Sequence, residues 1–539
     1  MEEGLAEGHI RILDCTLQDG GYCNQWRFGF ENTRRIIRSL IDAGVDIIEC
    51  GILSDRVTYR RDFTIFTGME EAAQVIPEER CGRIFACRIN YGEYGLEKLP
   101  EYDGTSLDAI RLAFHKVDMA GALKLCSGIK AKGYRVFVEP MAALDYSDEE
   151  FVELVRMSNR IAPDAFYIAD SFGNMGRKDL VRLFSVAEHN LSVRIAIGYH
   201  AYHNMQLAYA NAQALADFKS KRGIIIDSSI FGMGRGAGNL NTELLAGYLN
   251  ENMGTRYLPK PLLTVMDEVV SRYYSSCSWG YSLPGYLSAT HNCHPEYAYY
   301  LEDKNTLTLE DMDEILGLMR EDKRHNYDQQ YMEGLYLAYM KQGEACEENL
   351  SELKHYLRGK QVLMIAPGMS AEKEREKVAT AAARRDVVSI SVNFDYPYYN
   401  TDFIFLSNLR RYRYWNPGLK GKTIVTSNIP AEGVYLKAKY GELLNNIEGV
   451  KDNAGMMLLK YLVRLDVCDI LLAGFDGYSY DISQNYAVQE LAVHARRAAF
   501  DKVNTGMSRV LSEYAKHIRL EFVTEPKHVQ ITRMTFTAT

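Results

Sequence analysis

Residues 9–26 read HIRILDCTLQDGGYCNQW, a short apolar run that breaks into a polar, glycine-rich turn. The run does not alternate, which is the pattern of a strand covered on both faces in a parallel sheet. Asp14, Gln18 and Asp19 stand where it ends, and Gly20 and Gly21 let backbone approach closely there. Seven similar runs follow at a regular beat, over 45–50, 84–89, 109–114, 135–139, 165–169, 194–199 and 224–227, each trailed by a helical stretch. Eight βα units in this length predict a (β/α)8 TIM barrel. An open doubly wound sheet is the alternative. Closure is favoured because chemistry-bearing residues follow the first, seventh and eighth runs, and only a barrel brings those ends to one mouth.

The barrel is thus assigned to residues 1–250. Residues 251–345 turn helical and aromatic, including SSCSWGYSLPGYLSATHNCHPEYAYYL at 275–301, and read as a helical extension in which Cys293 and His294 serve packing. Thr308, before LED, is a helix N-cap. After the charged stretch 342–354 a fresh α/β beat begins, with runs at 362–366, 387–392, 403–406, 423–426 and 470–473. This predicts a separate Rossmann-like domain over 355–539.

A chain of 539 residues with 47% hydrophobic and 25% charged residues suits two or three folded domains and excludes extensive disorder. The net charge of −9 leaves no basic stripe for nucleic acid or an anionic membrane. The start, MEEGLAEGHI, has neither a basic nor an apolar leader segment, and no apolar run reaches spanning length, so a cytoplasmic protein is expected. Ten cysteines without a CxxC pair suggest reduced, mostly buried thiols. A homo-oligomer is compatible with the sequence.

Two further segments converge on the predicted mouth: GYHAYHNMQLAYAN (198–211) after the seventh run and DSSIFGMGRGAGNLNTELL (227–245) after the eighth. A hard divalent ion needs oxygen and imidazole donors from separate strand ends, and Asp19, His200 and Asn239 are of those types. The three segments resemble the D-x-T-L-R-D-G, H-x-H and G-x-G-N-x-x-x-E signatures of the HMG-CoA-lyase-like (DRE-TIM) metallolyases. IIECG (47–51), IRLAFHK (110–116) and YIADSFGNM (167–175) are similar to its 4-hydroxy-2-oxovalerate aldolase branch, and the likeness covers roughly the first 340 residues. The resemblance implies that Asp19 and His200, with Asn239, bind Mn2+ or Mg2+. It further implies that the ion engages a 2-oxo acid such as pyruvate and stabilises the enolate of an aldol cleavage.

Two positions depart from the pattern. The family places Arg before the metal aspartate, where this chain has Gln18, an uncharged donor to an enolate. The H-x-H becomes His200-Ala201-Tyr202, with His203 alongside; positions i and i+2 of an extended segment share a face, so Tyr202 becomes the fourth candidate ligand. A tyrosine with a reference pKa of about 10 is an unusual ligand at neutral pH. Tyr22, His115 and Asp170 lie at strand ends and are candidate proton acceptors or relays. Three outcomes stay open: an aldolase with a rearranged metal site, an enzyme retuned to another substrate, and a non-catalytic scaffold. Retention of Asn204 and Arg235 beside the candidate ligands speaks against complete decay.

In the C-terminal part VLMIAPGMSAEKEREKV (362–378) reads as strand, Gly/Ser turn and helix, an arrangement that favours an anion, although GxGxxG and GxxxxGK are missing. With ISVNF (390–394), DNAGMMLLKYLV (452–463) and ILLAGFDGYSYD (470–481) it resembles the sialyltransferase-like and MptE-like Rossmann proteins. That likeness implies a nucleotide or nucleotide-sugar site lined by Gly368, Ser370, Asn393, Asn453, Gly455, Asp476 and Tyr478. His494 and His528 are candidates for a transferase histidine. A docking module is the competing reading. An aldolase barrel paired with such a domain would suit construction of an unusual surface sugar.

Overall fold

In the computed structural model, which describes residues 5, 8–218, 220–395, 400–415, 422–488, 491 and 497–532, the eight expected strands are present. They are β1 (Ile10–Asp14), β2 (Ile47–Leu53), β3 (Ile84–Asn90), β4 (Ala109–Phe114), β5 (Arg135–Pro140), β6 (Ala165–Asp170), β7 (Ala196–Ala201) and β8 (Ile224–Ser228). All pair in parallel, and β1 meets both β8 and β2, so the sheet closes into a (β/α)8 barrel. A two-residue strand, Ile65–Phe66, lies outside the ring against β2. Continuous apolar strands result because the outward faces pack on helices and the inward faces fill the barrel.

The helix Asp148–Ile161 illustrates how the outer layer forms. Ser147 accepts from the amide of Glu150 and Glu150 returns to the amide of Ser147, a capping box that fixes the start. Phe151, Leu154, Val155 and Ser158 recur on one face and are buried. Each of the three apolar side chains contributes about 1.5–3 kcal/mol by leaving water. Ser147→Ala would remove the cap, at a cost of about 1 kcal/mol.

The chain divides into two units, Met1–Pro295 and Glu296–Thr539. The expected helical extension is therefore split: Pro259–Val265, Ser271–Ser276 and Leu283–Thr290 belong with the barrel, whereas Leu309–Gly317 and Gln329–Met340 belong with the second unit. Contacts explain the division. Trp279 Nε1 donates to Phe231 O at 2.8 Å behind β8, while buried Tyr336 shares a hydrogen bond with Thr306 and donates to Asp452. Thr308 accepts from the amide of Asp311 at the start of Leu309–Gly317.

The second unit holds β9 (Gln361–Ile365), β10 (Val387–Val392), β11 (Phe403–Leu406), β12 (Thr423–Thr426), β13 (Leu436–Ala438), β14 (Asp469–Ala473) and β15 (Arg519–Phe522). They form one parallel sheet in the order β13-β12-β11-β10-β9-β14-β15. The order reverses direction between β9 and β14, creating a switch-point crevice at their carboxyl ends. The edge strands β13 and β15 add to the five expected.

No helix among the described residues is long and apolar enough to cross a membrane. All ten cysteines are free, but only Cys15, Cys50, Cys87, Cys126 and Cys293 are buried. The expectation of mostly buried thiols is corrected for Cys81, Cys277, Cys346 and Cys468, which lie exposed outside the strands.

Candidate active site at the barrel mouth

The first-strand motif stitches the mouth together. Asp14 accepts from the Thr16 amide at 2.9 Å and from Thr242 Oγ1 at 2.6 Å, and Thr16 Oγ1 accepts from the Ile230 amide at 2.7 Å. Glu243, at the end of the G-x-G-N-x-x-x-E segment, accepts from the Phe231 amide and from Asn241. These carboxylates hold the loops after β1 and β8 in register, and they leave Asp19 and Asn239 to face each other.

Asp19 is fully buried. Its Oδ1 accepts from Tyr202 OH at 2.5 Å and its Oδ2 from Asn239 Nδ2 at 2.6 Å. A bridge between Tyr202 and Asn239 joins the loops after β7 and β8 at this point. Gly234 lies so close that a Cβ there would fall 2.7 Å from Asp19 Oδ2 and 2.4 Å from Asn239 Nδ2. Only glycine fits. Burial, reinforced by Asp19, pushes the Tyr202 phenol well above its ordinary value, so Tyr202 enters the site as a protonated donor to Asp19. His203 is half-buried and donates its backbone amide to Gly238 O.

His200, at the end of β7, uses Nδ1 against Asp227 Oδ2 at 2.9 Å, while its Nε2 is buried without a hydrogen-bond partner. Burial opposes its protonation, but Asp227, Glu139 and Asp19 outweigh that and raise its pKa. Asn239 Oδ1 and Gln18 Oε1 are likewise buried and unpartnered. Buried polar atoms are normally satisfied, so three orphans from three strand ends in one mouth mark a place for a ligand. The donor set, a carboxylate, an imidazole nitrogen and an amide oxygen, fits a hard divalent ion. Among the described residues no group of three His, Cys, Asp or Glu is arranged to hold a metal ion by itself, so a set here needs Asn239.

Beneath the mouth lies a charged layer that was not singled out from the sequence. Arg111 on β4 is fully buried and pairs with Glu49 (3.0 Å), Asp227 (2.5 Å) and Glu139 (3.4 Å), its guanidinium 4.5 Å from the Tyr167 ring centroid. Arg88 on β3 pairs with Glu139 at 3.5 Å. Burial pushes Glu49 up to about 7 even against Arg111. Burial would raise Glu139 as well, but Arg88 and Arg111 prevail and hold it below the ordinary carboxylate value. Asp227 therefore links this layer to His200. The available signal was a charged residue inside five of the apolar strand runs, Glu49, Arg88, Arg111, Glu139 and Asp227, as in IIECG and IRLAF.

The candidate proton carriers separate. Asp170 is buried, with its oxygens taken by the amides of Asn174 and Met175 at 3.0 Å each, so it pins the loop after β6. Burial pushes it up to about 6. Asn204 also works as a tie, donating to Phe172 O and accepting from Ala237. Tyr22 is partly exposed at the rim, its ring 4.8 Å from Trp26, and His115 is half-buried at the end of β4. Gln18 is buried, its main-chain carbonyl accepting from Trp26 Nε1.

The segment from Trp279 to His294 lies over this mouth. Asn174 donates to Ala289 O and Asn292 Oδ1, Asn292 donates to Asp145 Oδ1 at 3.1 Å, and Arg235 meets His294 at 2.8 Å. His294 thus reaches a mouth arginine, which revises its reading as a packing residue alone.

At the second unit's switch point Gly368, Ser370 and Asp476 come together. Asp476 accepts from the Ser370 amide at 2.7 Å and from its hydroxyl, which also reaches Thr524; a Cβ on Gly368 would collide with Gly474 O at 2.3 Å. Asn393 accepts from the Ser407 amide, and Asn453 caps Ala454–Arg464 through the Met456 amide. Gly455 packs on Phe475. Tyr478 stacks on Phe500 and shares a hydrogen bond with Tyr486. The amide of His528 donates to Asp476 O at 2.7 Å, and His494 lies outside the described residues.

Residues 111–260 match the HMGL-like family. The chain is 28% identical over 245 residues to a 4-hydroxy-2-oxovalerate aldolase of Geobacillus genomosp. 3, covering 45% of this chain and 70% of that one. It is 26% identical over 240 residues to 4-hydroxy-2-oxovalerate aldolase 2 of Comamonas testosteroni, covering 44% and 67%. Among solved structures, the N-terminal domain of a candidate aldolase from Bacteroides vulgatus is 25% identical, covering 53% of this chain and 95% of that domain, with a TM-score of 0.46.

Proposed function

Starting from an HMGL-like domain on a (β/α)8 barrel, we propose that this chain is a divalent-metal-dependent aldolase that cleaves or forms a C–C bond in a 4-hydroxy-2-oxo acid. The observation that carries the reading is His200. Its Nδ1 is committed to Asp227 and its buried Nε2 is left without a partner beside Asp19. A carboxylate that fixes the far nitrogen of an imidazole is the usual support of a metal-bound histidine.

Asp19, His200 through Nε2 and Asn239 through Oδ1 would hold Mn2+ or Mg2+. When bound, such an ion supplies Lewis-acid polarisation of a keto oxygen. Tyr202 orients Asp19 through its hydroxyl, and Asp227 keeps His200 from rotating. In this reading Tyr22, exposed at the rim, and His115, half-buried at the end of β4, are the candidates to carry a proton between substrate and solvent. The buried Gln18 contributes no charge to the site.

Mn2+ binding followed by electron paramagnetic resonance tests the reading. One ion per chain, lost in Asp19→Ala, with pyruvate released from at least one 4-hydroxy-2-oxo acid, is expected. A protein that takes up no divalent ion at millimolar concentration is no metal-dependent aldolase. The engagement of both Asp19 oxygens by Tyr202 and Asn239 favours the second reading, a binding scaffold on a reduced metal site. For the second unit, Asp476 already takes the amide and hydroxyl of Ser370, which favours the docking-module reading over a nucleotide site; calorimetry with cytidine diphosphate tests this, with no binding expected.

A further inference from the structure

Two of the ten thiols meet at the barrel mouth, and the metal reading uses neither. Cys23 lies in the short helix Gly21–Asn24, on the loop after β1 that carries Asp19. Its Sγ is 3.2 Å from Gly234 O in the loop after β8. Cys277 follows the helix Ser271–Ser276, its amide donating to Tyr273 O at 2.9 Å. The residues around it seat that turn on the same loop after β8. The rings of Tyr274 and Trp279 lie 5.2 and 5.8 Å from the ring of Phe231, and Trp279 Nε1 donates to Phe231 O. A hydrogen bond joins the two thiols, although the whole circuit of strands separates them in the chain.

The surroundings divide the roles within the pair. Cys277 is exposed, whereas Cys23 is only partly so. The hydrogen bond to Cys277, then burial, keeps the Cys23 thiol protonated well above its ordinary range. A dissolved oxidant therefore meets Cys277 first, and Cys23 stands behind it as a second sulfur that still holds its proton. An accessible thiol beside a resolving cysteine is the arrangement that oxidation selects.

We propose that Cys23 and Cys277 form a redox-active pair, in which a hydroperoxide converts the two thiols into a disulfide that ties the loop after β1 to the start of the segment over the mouth. The sulfur of Cys277 attacks the peroxide, the O–O bond breaks, and water or an alcohol leaves, so that Cys277 becomes a sulfenic acid. The sulfur of Cys23 then displaces the hydroxyl, which departs as water with the Cys23 proton. The protein gives up two electrons and two protons, and the peroxide is reduced by two electrons. The bond forms just before Trp279, so oxidation fixes the base of the segment from Trp279 to His294 to the loop that bears Gln18 and Asp19. Neither a bound metal nor turnover is needed to test it.

The experiment treats the full chain with hydrogen peroxide and maps its cysteines by mass spectrometry after proteolysis, for wild type, Cys23→Ser and Cys277→Ser. Wild type should lose two thiols per chain and yield a peptide cross-linked between Cys23 and Cys277, which dithiothreitol reverses. Cys23→Ser should stop at the sulfenic acid, captured at Cys277 by dimedone. Cys277→Ser, a change at an exposed position that spares the fold, should form neither product. Cys81, Cys346 and Cys468, exposed as well, are internal controls that should react more slowly than Cys277. Amide hydrogen exchange across residues 271–294 should slow on oxidation and recover on reduction. Wild type that yields no Cys23–Cys277 peptide, whether its thiols survive or Cys277 pairs elsewhere, overturns the inference, as does a cross-link that leaves exchange in this segment unchanged.

Discussion

The barrel mouth and the second unit's switch point are both built at the carboxyl ends of parallel strands, yet their polar atoms are in opposite states. At the mouth, His200 Nε2, Asn239 Oδ1 and Gln18 Oε1 are buried with nothing to bond. At the switch point, Ser370, Asp476 and Thr524 satisfy one another, and an anion arriving at the start of Met369–Lys373 meets a carboxylate already in place. A buried unsatisfied atom costs about 1–3 kcal/mol, so a fold that keeps three of them together holds that free energy available for a ligand. The satisfied cluster holds none. The difference teaches that a motif's position in a fold says less about binding than whether its hydrogen bonds are already made.

The largest effect that could break this contrast concerns the layer supporting the mouth. Arg111→Met should leave Glu49 without its cation, and Glu139 and Asp227 with only Arg88 and His200, and cost about 3–5 kcal/mol in the denaturant unfolding of the barrel unit. A loss below about 1 kcal/mol would mean the layer is hydrated and the mouth less dry than described.

Next comes Glu49. Its pKa of about 7 in the folded state exceeds its ordinary 4.5, so the folded chain holds a proton that the unfolded chain releases between these values. Stability should therefore fall as pH rises through that window, by up to about 3 kcal/mol for this group, and Glu49→Gln should flatten the slope. Asp14 and Asp170, each near 6, act in the same direction over a lower window. A barrel that gains stability from pH 5 to 7 would contradict this.

Asp227→Asn sharpens the comparison from the ligand side. Loss of the carboxylate behind His200 should lower Mn2+ affinity about tenfold to a hundredfold, read by paramagnetic resonance. Unchanged affinity would remove His200 from the donor set. The smallest effect belongs to the other region. Ser370→Ala should cost the second unit about 1–2 kcal/mol of stability and leave Mn2+ binding untouched, because the lost bonds to Asp476 and Thr524 serve the fold. A shift in metal affinity there would show that the two regions are not independent.

How much of this was legible in the sequence follows from what one-dimensional patterns encode. The eight barrel strands were readable because strands packed on both faces are uninterrupted apolar runs. The edges β13 (Leu436–Ala438) and β15 (Arg519–Phe522) were not, being three and four residues long, β15 with exposed charge. Two-residue periodicity places Tyr202 and not His203 toward Asp19, and the structure has that contact. Asp170 could not be told from a loop tie, since its partners are backbone amides that any sequence provides. The charges of Glu49 and Arg111 were visible as letters, but their mutual pairing depends on closure of the ring. Helical periodicity likewise does not say which core a helix joins, so the boundary after residue 250 had to move to Pro295.

The segment from Trp279 to His294, pinned at Phe231, Asn174, Asp145 and Arg235, has a kinetic consequence. A carbanion equivalent released in an open cup partitions between capture of an aldehyde and idle quenching by water, and every quenching event wastes a turnover. The strands and candidate donors all precede this segment, so the aldolase proposed above would keep its donor set but lose its shutter in a variant whose anchors were removed. Its fingerprint would be deuterium from solvent washing into the product methyl group faster than carbon–carbon bonds are made. The ratio of those two rates measures how tightly sixteen residues from outside the ring hold the door.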